Sequence, residues 1–227
     1  MKKLTIASMT MAAIVGLTIP AQAQSQRQDQ KTQATGQDAN FISQAAQANL
    51  AAVELGKLGA KKSANNEIKQ FSQHLETDHR VANSKLKPIA KYEGVQWPQR
   101  LDAAHKDELS QLRKLSGAEF DKQFTTMALK DHAKAIALFQ QEAQMGQNQV
   151  TKQYAQNTLP ALQHHLDMAK NVAKDVGLNE TAISSILSQF PEAIGGTGST
   201  TGQEQGTGTS QKGGEEKTHN HDHDSNK

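Results

Sequence analysis

"LPALQHHLDM", residues 159–168, decides how this chain reads. Neighbouring residues on a helix point about 100° apart, so at most one of the adjacent His164 and His165 can face a core. The apolar band through this stretch is Tyr154, Thr158, Ala161, Leu162, His165, Ala169, Val172 and Val176. His165 falls inside that band, and His164 is turned toward solvent or a groove edge. The spacing predicts a helix over about 149–176, closed by Gly177.

Working outward, the same period governs the whole central segment. Alanine, glutamine, leucine and lysine dominate, proline is scarce, and no run alternates with period two. A first long helix is predicted from Asp38, a good N-cap, to Lys62, with Phe41, Ala45, Ala48, Ala52, Leu55 and Gly59 on one narrow face. A second runs from about 64 to 93 with the stripe Ile68, Phe71, Leu75, His79, Ala82, Leu86 and Ile89, and Pro88 is expected to kink its last turns. A short helix over about 101–115 follows. A third long helix over about 118–145 carries Phe124, Ala128, His132, Ala135 and Phe139. A short amphipathic helix over about 180–190 closes the segment. Two long helices, a connector of about 25 residues, then two more spell a four-helix bundle. The long connector permits a ferritin-like crossover containing the short helix. The alternative is a plain up-down bundle with a capping helix.

The flanks differ in kind. Residues 1–23 read as a signal peptide: Lys2 and Lys3, an apolar stretch from Leu4 to Leu17, and "AQA" at 21–23 before Gln24. Residues 24–37 read as a disordered leader and 38–191 as one bundle domain. Residues 192–227 read as a flexible tail ending in "HNHDHDSNK". The expected location is therefore the periplasm. The apolar stretches fall short of the roughly 20 residues a membrane helix needs. The chain has no cysteine, which removes disulfides and thiolate metal sites. Without Lys2 and Lys3 the formal charge falls from +2 to about 0. With only 4% aromatic residues and no basic stripe, nucleic acid is a disfavoured partner.

Three histidines then stand out. His79, His132 and His165 each occupy an apolar slot about 14–16 residues into its helix, so antiparallel packing at 1.5 Å per residue brings them to one level. Three imidazoles from three helices form a metal-site arrangement suited to one transition-metal ion, Zn, Cu, Ni, Mn or Fe. Asp78 and Asp131 precede His79 and His132 in a repeated Asp-His pair. From the rims of their bands they can orient a neighbouring imidazole or act as ligands. The competing reading is a buried His/Asp network that fixes helix register with no metal, in a structural or stress-protective envelope protein.

A di-iron centre fits poorly. It asks for a Glu from two helices and Glu-x-x-His from the other two, and only Glu76 with His79 supplies that spacing. In the first helix Glu54 points away from the small-residue face, and Ala52 holds the inward slot. His74 and His105 read as surface or edge positions. His219, His221 and His223, interleaved with Asp222 and Asp224, could hold a metal loosely. No hydrolase motif or phosphate-binding glycine loop is present, so the balance leans away from an enzyme.

"LETDHRVAN" (75–83), "LSGAEFD" (115–121), "LKDH" (129–132) followed by "LF" (138–139), and "LPALQHHLDMA" (159–169) together resemble a bacterial family of exported ferritin-like helical proteins. That family is catalogued as a domain of unknown function and is often labelled an outer membrane protein. The resemblance covers about 40–176. It implies that Asp78, His79, His132 and His165 fall on the family's own pattern. It also implies a first-helix Glu that is absent here, where Ala52 stands and only Glu54 is kept. The resemblance transfers no activity, and a helical bundle is not an outer-membrane barrel.

Overall fold

The computed structural model describes residues 36–194. They form α1 (Gly36–Lys62), α2 (Asn66–Tyr92), α3 (Ala103–Lys114), α4 (Gly117–Met145), α5 (Gln149–Asp175), α6 (Glu180–Leu187) and α7 (Pro191–Ile194), with no strand among the described residues. The expected signal peptide and nearly all of the expected leader and tail lie outside them. Helix begins at Gly36, inside the expected leader, and α7 reaches Ile194, just past the expected end of the domain.

Local chemistry sets the ends. The side chain of Asn65 accepts from the backbone of Glu67 and Ile68, that of Asn148 from Val150 and Thr151, and that of Asp102 from His105. Each satisfies N–H groups that a helix start leaves open. Gly94 and Gly177, at φ +73° and +80°, stop α2 and α5 in the left-handed conformation that glycine reaches without steric cost. The helical backbone of α2 continues past Pro88 to Tyr92.

Three-residue links fold α1 against α2 and α4 against α5 as antiparallel hairpins, and the hairpins join through α1–α4 and α2–α5. Phe41 near the start of α1 meets Phe139 near the end of α4, with ring centroids 5.0 Å apart, while Gly59 near the end of α1 faces Phe124 near the start of α4. Hence α1 and α4 are antiparallel, and α2 and α4 lie on opposite corners running parallel. The chain between α2 and α4 must therefore travel the length of the bundle. It does so with α3 laid on α1 and α4, secured where Lys62 Nζ donates to the carbonyls of Arg113 and Leu115, both at 2.6 Å. Phe71, Phe120, Phe124, Phe139, Leu75 and Ile136 are fully buried. Each contributes about 1.5–3 kcal/mol of hydrophobic stabilisation.

Two sequence expectations need correction. Asp38 is not the N-cap of the first helix. It lies inside α1, buried, and its Oδ1 accepts from the backbone of Gln147 and Asn148 at 2.9 and 3.2 Å, so it clamps the α4–α5 link. On α5, Ala161 is exposed and Thr158 half-buried, because the buried band is rotated toward Leu166 and Ala173.

The α1–α2 contact is close enough to exclude a methyl group. A Cβ on Gly56 would lie 2.6 Å from the carbonyl oxygen of Ser72, and one on Gly59 would strike the Ser72 hydroxyl and the Phe124 ring. Gly56→Ala must push two backbones apart, so it is expected to lower stability by about 1–3 kcal/mol in urea denaturation despite alanine's better helix propensity. At the same end as Asp38, burial first and then the Asp38 carboxylate push Glu142 up to about 7 from its ordinary 4.5. The folded state thus keeps a proton that the unfolded chain has lost, and stability falls as pH rises from 4.5 to 7. Glu142→Gln is expected to melt above the wild type at pH 8, with the gap closing by pH 5.

Candidate metal centre

His79 from α2, His132 from α4 and His165 from α5 meet at mid-bundle. Their ring centroids lie 5.3–5.6 Å apart, and each residue is buried. One ring nitrogen from each lies within 4.8 Å of the other two. His164 is exposed, as the helical period requires.

Each imidazole is held by one nitrogen. His132 Nδ1 donates to the Ala128 carbonyl one turn back, at 2.8 Å. His165 Nε2 donates to Asp78 Oδ2 on α2, at 2.9 Å. His79 Nδ1 donates to Asn49 Oδ1 on α1, at 2.9 Å. The Asn49 amide donates in turn to the Tyr154 hydroxyl, which donates to the Ala82 carbonyl, so the amide oxygen is the end presented to His79. A carbonyl or carboxylate can only accept, so these bonds place the proton on the outer nitrogen of every ring. The other nitrogens, His79 Nε2, His132 Nε2 and His165 Nδ1, are buried and have no hydrogen-bond partner in the protein. They carry lone pairs.

Charge on the rings is opposed by their surroundings. Burial, then the neighbouring imidazoles, lowers His79 well below 6.5. Burial takes His132 down to about 4, with His165 adding to it and the Ala128 carbonyl opposing it. His165 is lowered by burial against the pull of Asp78. All three are neutral at pH 7, the protonation state a metal ligand needs.

The two aspartates part company. Asp78 anchors His165, whereas Asp131 turns toward α1 and α3. It is half-buried beside Glu108 and His105, and burial, then Glu108, pushes it up to about 6. The geometry of the helices explains this. α2 and α4 run parallel on opposite corners, so one step back from His79 and one step back from His132 turn in the same sense about the bundle axis. The first step meets α5 and the second meets α1. There α1 carries Ala48, Ala51 and Ala52, and a cavity of about 350 Å³ opens among these alanines, His79, His132, Asp131 and Ala135. Glu54 pairs with Lys57 at 2.6 Å on the surface of α1.

Asn49 was not singled out from the sequence, yet it is 2% exposed and orients His79. Its position was readable, since Ala45, Asn49 and Val53 repeat at four-residue spacing and are all buried. The Ala128 carbonyl has no signature of its own, because every residue has one. His105, expected at the surface or an edge, is half-buried, and its Nδ1 donates to both oxygens of Asp102 at 2.9 Å.

Fold and site together define a helical-bundle domain with a buried triad of neutral histidines. The chain belongs to the family described as a domain of unknown function (DUF4142), which matches residues 23–172 and so takes in all three histidines and their anchors. Among solved structures the chain is similar to the crystal structure of a DUF305 fragment from Deinococcus radiodurans, at 14% identity and a TM-score of 0.56, covering 63% of this chain and 98% of that one. That likeness concerns the fold alone. No curated protein matches the chain.

Neutral burial has a measurable cost in acid. Between pH 6.5 and 4 the unfolded chain takes up a proton that folded His132 refuses, so stability is lost as pH falls through this window. In metal-free protein His132 alone is expected to account for about 2 kcal/mol at pH 5 relative to pH 7.5. Urea midpoints in the presence of a chelator read this directly, and His132→Leu is expected to flatten the pH dependence by that amount.

Proposed function

We propose that this protein is an exported, periplasmic bundle of the ferritin-like type that binds one transition-metal ion through His79, His132 and His165. The observation that carries this reading is the state of the three inner nitrogens. A network serving only to fix packing would pair them with donors. Here every ring proton is committed outward, the three remaining nitrogens are buried without a protein partner, and one ring nitrogen of each histidine lies within 4.8 Å of the other two. Unsatisfied buried acceptors are costly, and a cation at their meeting point satisfies all three at once. Asp78, Asn49 and the Ala128 carbonyl then act as the outer partners that metal-bound histidines usually keep.

The donor set narrows the metal. Three imidazoles with no carboxylate among them favour Zn, Cu or Ni over Mn and do not make a di-iron centre. Copper is favoured on intrinsic affinity, zinc on availability and on its preference for three protein ligands plus an open position. Asp131 stays outside the inner set and serves the cavity instead. The periplasmic assignment rests on the signal-like residues 1–23, and the ferritin-like assignment on the long crossover carrying α3. The competing role, a His/Asp layer that only fixes packing, draws support from the ties that Asn49 and Asp78 make between helices, but those ties use the outer nitrogens alone.

Elemental analysis of the full mature chain tests the reading, with His219, His221 and His223 changed to Ala so that the tail cannot contribute. One equivalent of metal is expected, lost in His132→Ala and in His79→Ala. Asp78→Asn is expected to retain the ion with affinity weakened about 10–100-fold, because its amide can still accept from His165 but without charge. Metal-free protein that also ignores Zn, Cu and Ni on titration would sink the proposal and leave the triad a packing element.

A further inference from the structure

The cavity beside the triad has a floor and a mouth of different chemistry. At the floor lie His79, His132 and Asn49, all buried. Along its sides are Ala48, Ala52, Leu55 and Leu162. At the mouth lie His105, Asp102, Asp131 and Lys134, spread over α3, its N-cap and α4. His105 repeats the device of the triad: its Nδ1 is spent on Asp102, which leaves Nε2 as the nitrogen available to a ligand.

We propose that this cavity is the path by which a divalent transition-metal cation reaches the triad, with His105 and Asp131 as transient ligands at its mouth. The inference rests on the metal reading above and adds a second, weaker cation site and a direction of travel. Three observations support it. The cavity is continuous from the mouth residues to the rings of His79 and His132. Those rings carry buried nitrogens with no partner, which are the destination. The mouth offers one imidazole nitrogen and two carboxylates against one ammonium, Lys134, so the carboxylates outnumber the ammonium and favour a cation.

The opposite approach is less suited to passage. On the α2–α5 side the Asp78 carboxylate already holds the His165 ring at 2.9 Å, and His165 is not among the residues that line the cavity. The alanines of α1 acquire a role in this scheme. Bulkier side chains at 48 or 52 would fill the space that the cation, with part of its water shell, must cross.

A transient ligand speeds arrival and departure alike, so it changes rates and leaves the equilibrium constant alone. The test is stopped-flow uptake of Co(II) by metal-free full-length protein, with the tail histidines replaced, read by the visible d–d bands of the bound ion. Release into a chelator is followed in the same samples. His105→Gln combined with Asp131→Asn is expected to slow both uptake and release about tenfold at low ionic strength, with stoichiometry and Kd unchanged. Ala52→Leu, which plugs the cavity without replacing any proposed ligand, is expected to slow both as well. Lys134→Ala is expected to speed uptake. Full stoichiometry with unchanged rates in the double variant and in Ala52→Leu would overturn the path and leave the triad site standing. Absence of stoichiometric Co(II) from the unaltered triad, with Zn, Cu and Ni equally absent on titration, would overturn the triad reading and the path with it.

Discussion

The centre of this bundle is organised by where three protons go. Ala128, Asp78 and Asn49 each draw an N–H outward from one imidazole, and the geometry of a five-membered ring then sends the remaining lone pair inward. These anchors come from three different kinds of acceptor and three different helices. Their common result is a concentrated patch of electron density inside an apolar shell that includes Phe71 and Leu75. In such surroundings protonation is disfavoured by burial and by neighbouring rings, as the lowered pKa of each histidine shows. A soft or borderline cation at that point would satisfy the three nitrogens without placing a proton there.

The remainder of the fold holds that arrangement at one level. The glycines of α1 let it lie against the backbone of α2, which fixes the depth of Asn49 against His79. Asp38 ties the start of α1 to the α4–α5 link, and Lys62 ties its end to the close of the crossover. With both ends of α1 secured, the alanines between them can leave a cavity without the helix collapsing into it. Small residues in a core normally draw neighbours closer, and here the fixed ends oppose that closure.

What could be read from the letters follows the same physics. His79, His132 and His165 were legible because each interrupts an apolar stripe at helical spacing, and short hairpin links fix their relative depth. Asp78 and Asp131 were indistinguishable in sequence, since both precede a histidine. Only the arrangement of parallel α2 and α4 on opposite corners gives them different neighbours, α5 for one and α1 for the other. Asn49 stands at four-residue spacing between Ala45 and Val53, but the alanine face beside it is the more conspicuous stripe in the sequence. Asp38 shows a different limit: an aspartate near a helix start suits an N-cap, and nothing local reveals that its carboxylate is needed more than one hundred residues later.

The alanine face of α1 is the feature that separates a closed site from an accessible one. Viewed down the bundle, α2 and α4 each present an Asp-His pair, and α5 answers Asp78 with His165. If α1 answered Asp131 in the same way, the layer would be complete and sealed by four helices. It answers with Ala48 and Ala52 instead, so Asp131 is left facing a cavity that also touches His105. A protein that only needed a polar layer for register would gain packing by filling this corner. Keeping it open costs dispersion contacts along α1, α4 and Leu162, and that cost is offset by function if something must pass between solvent and the three nitrogens.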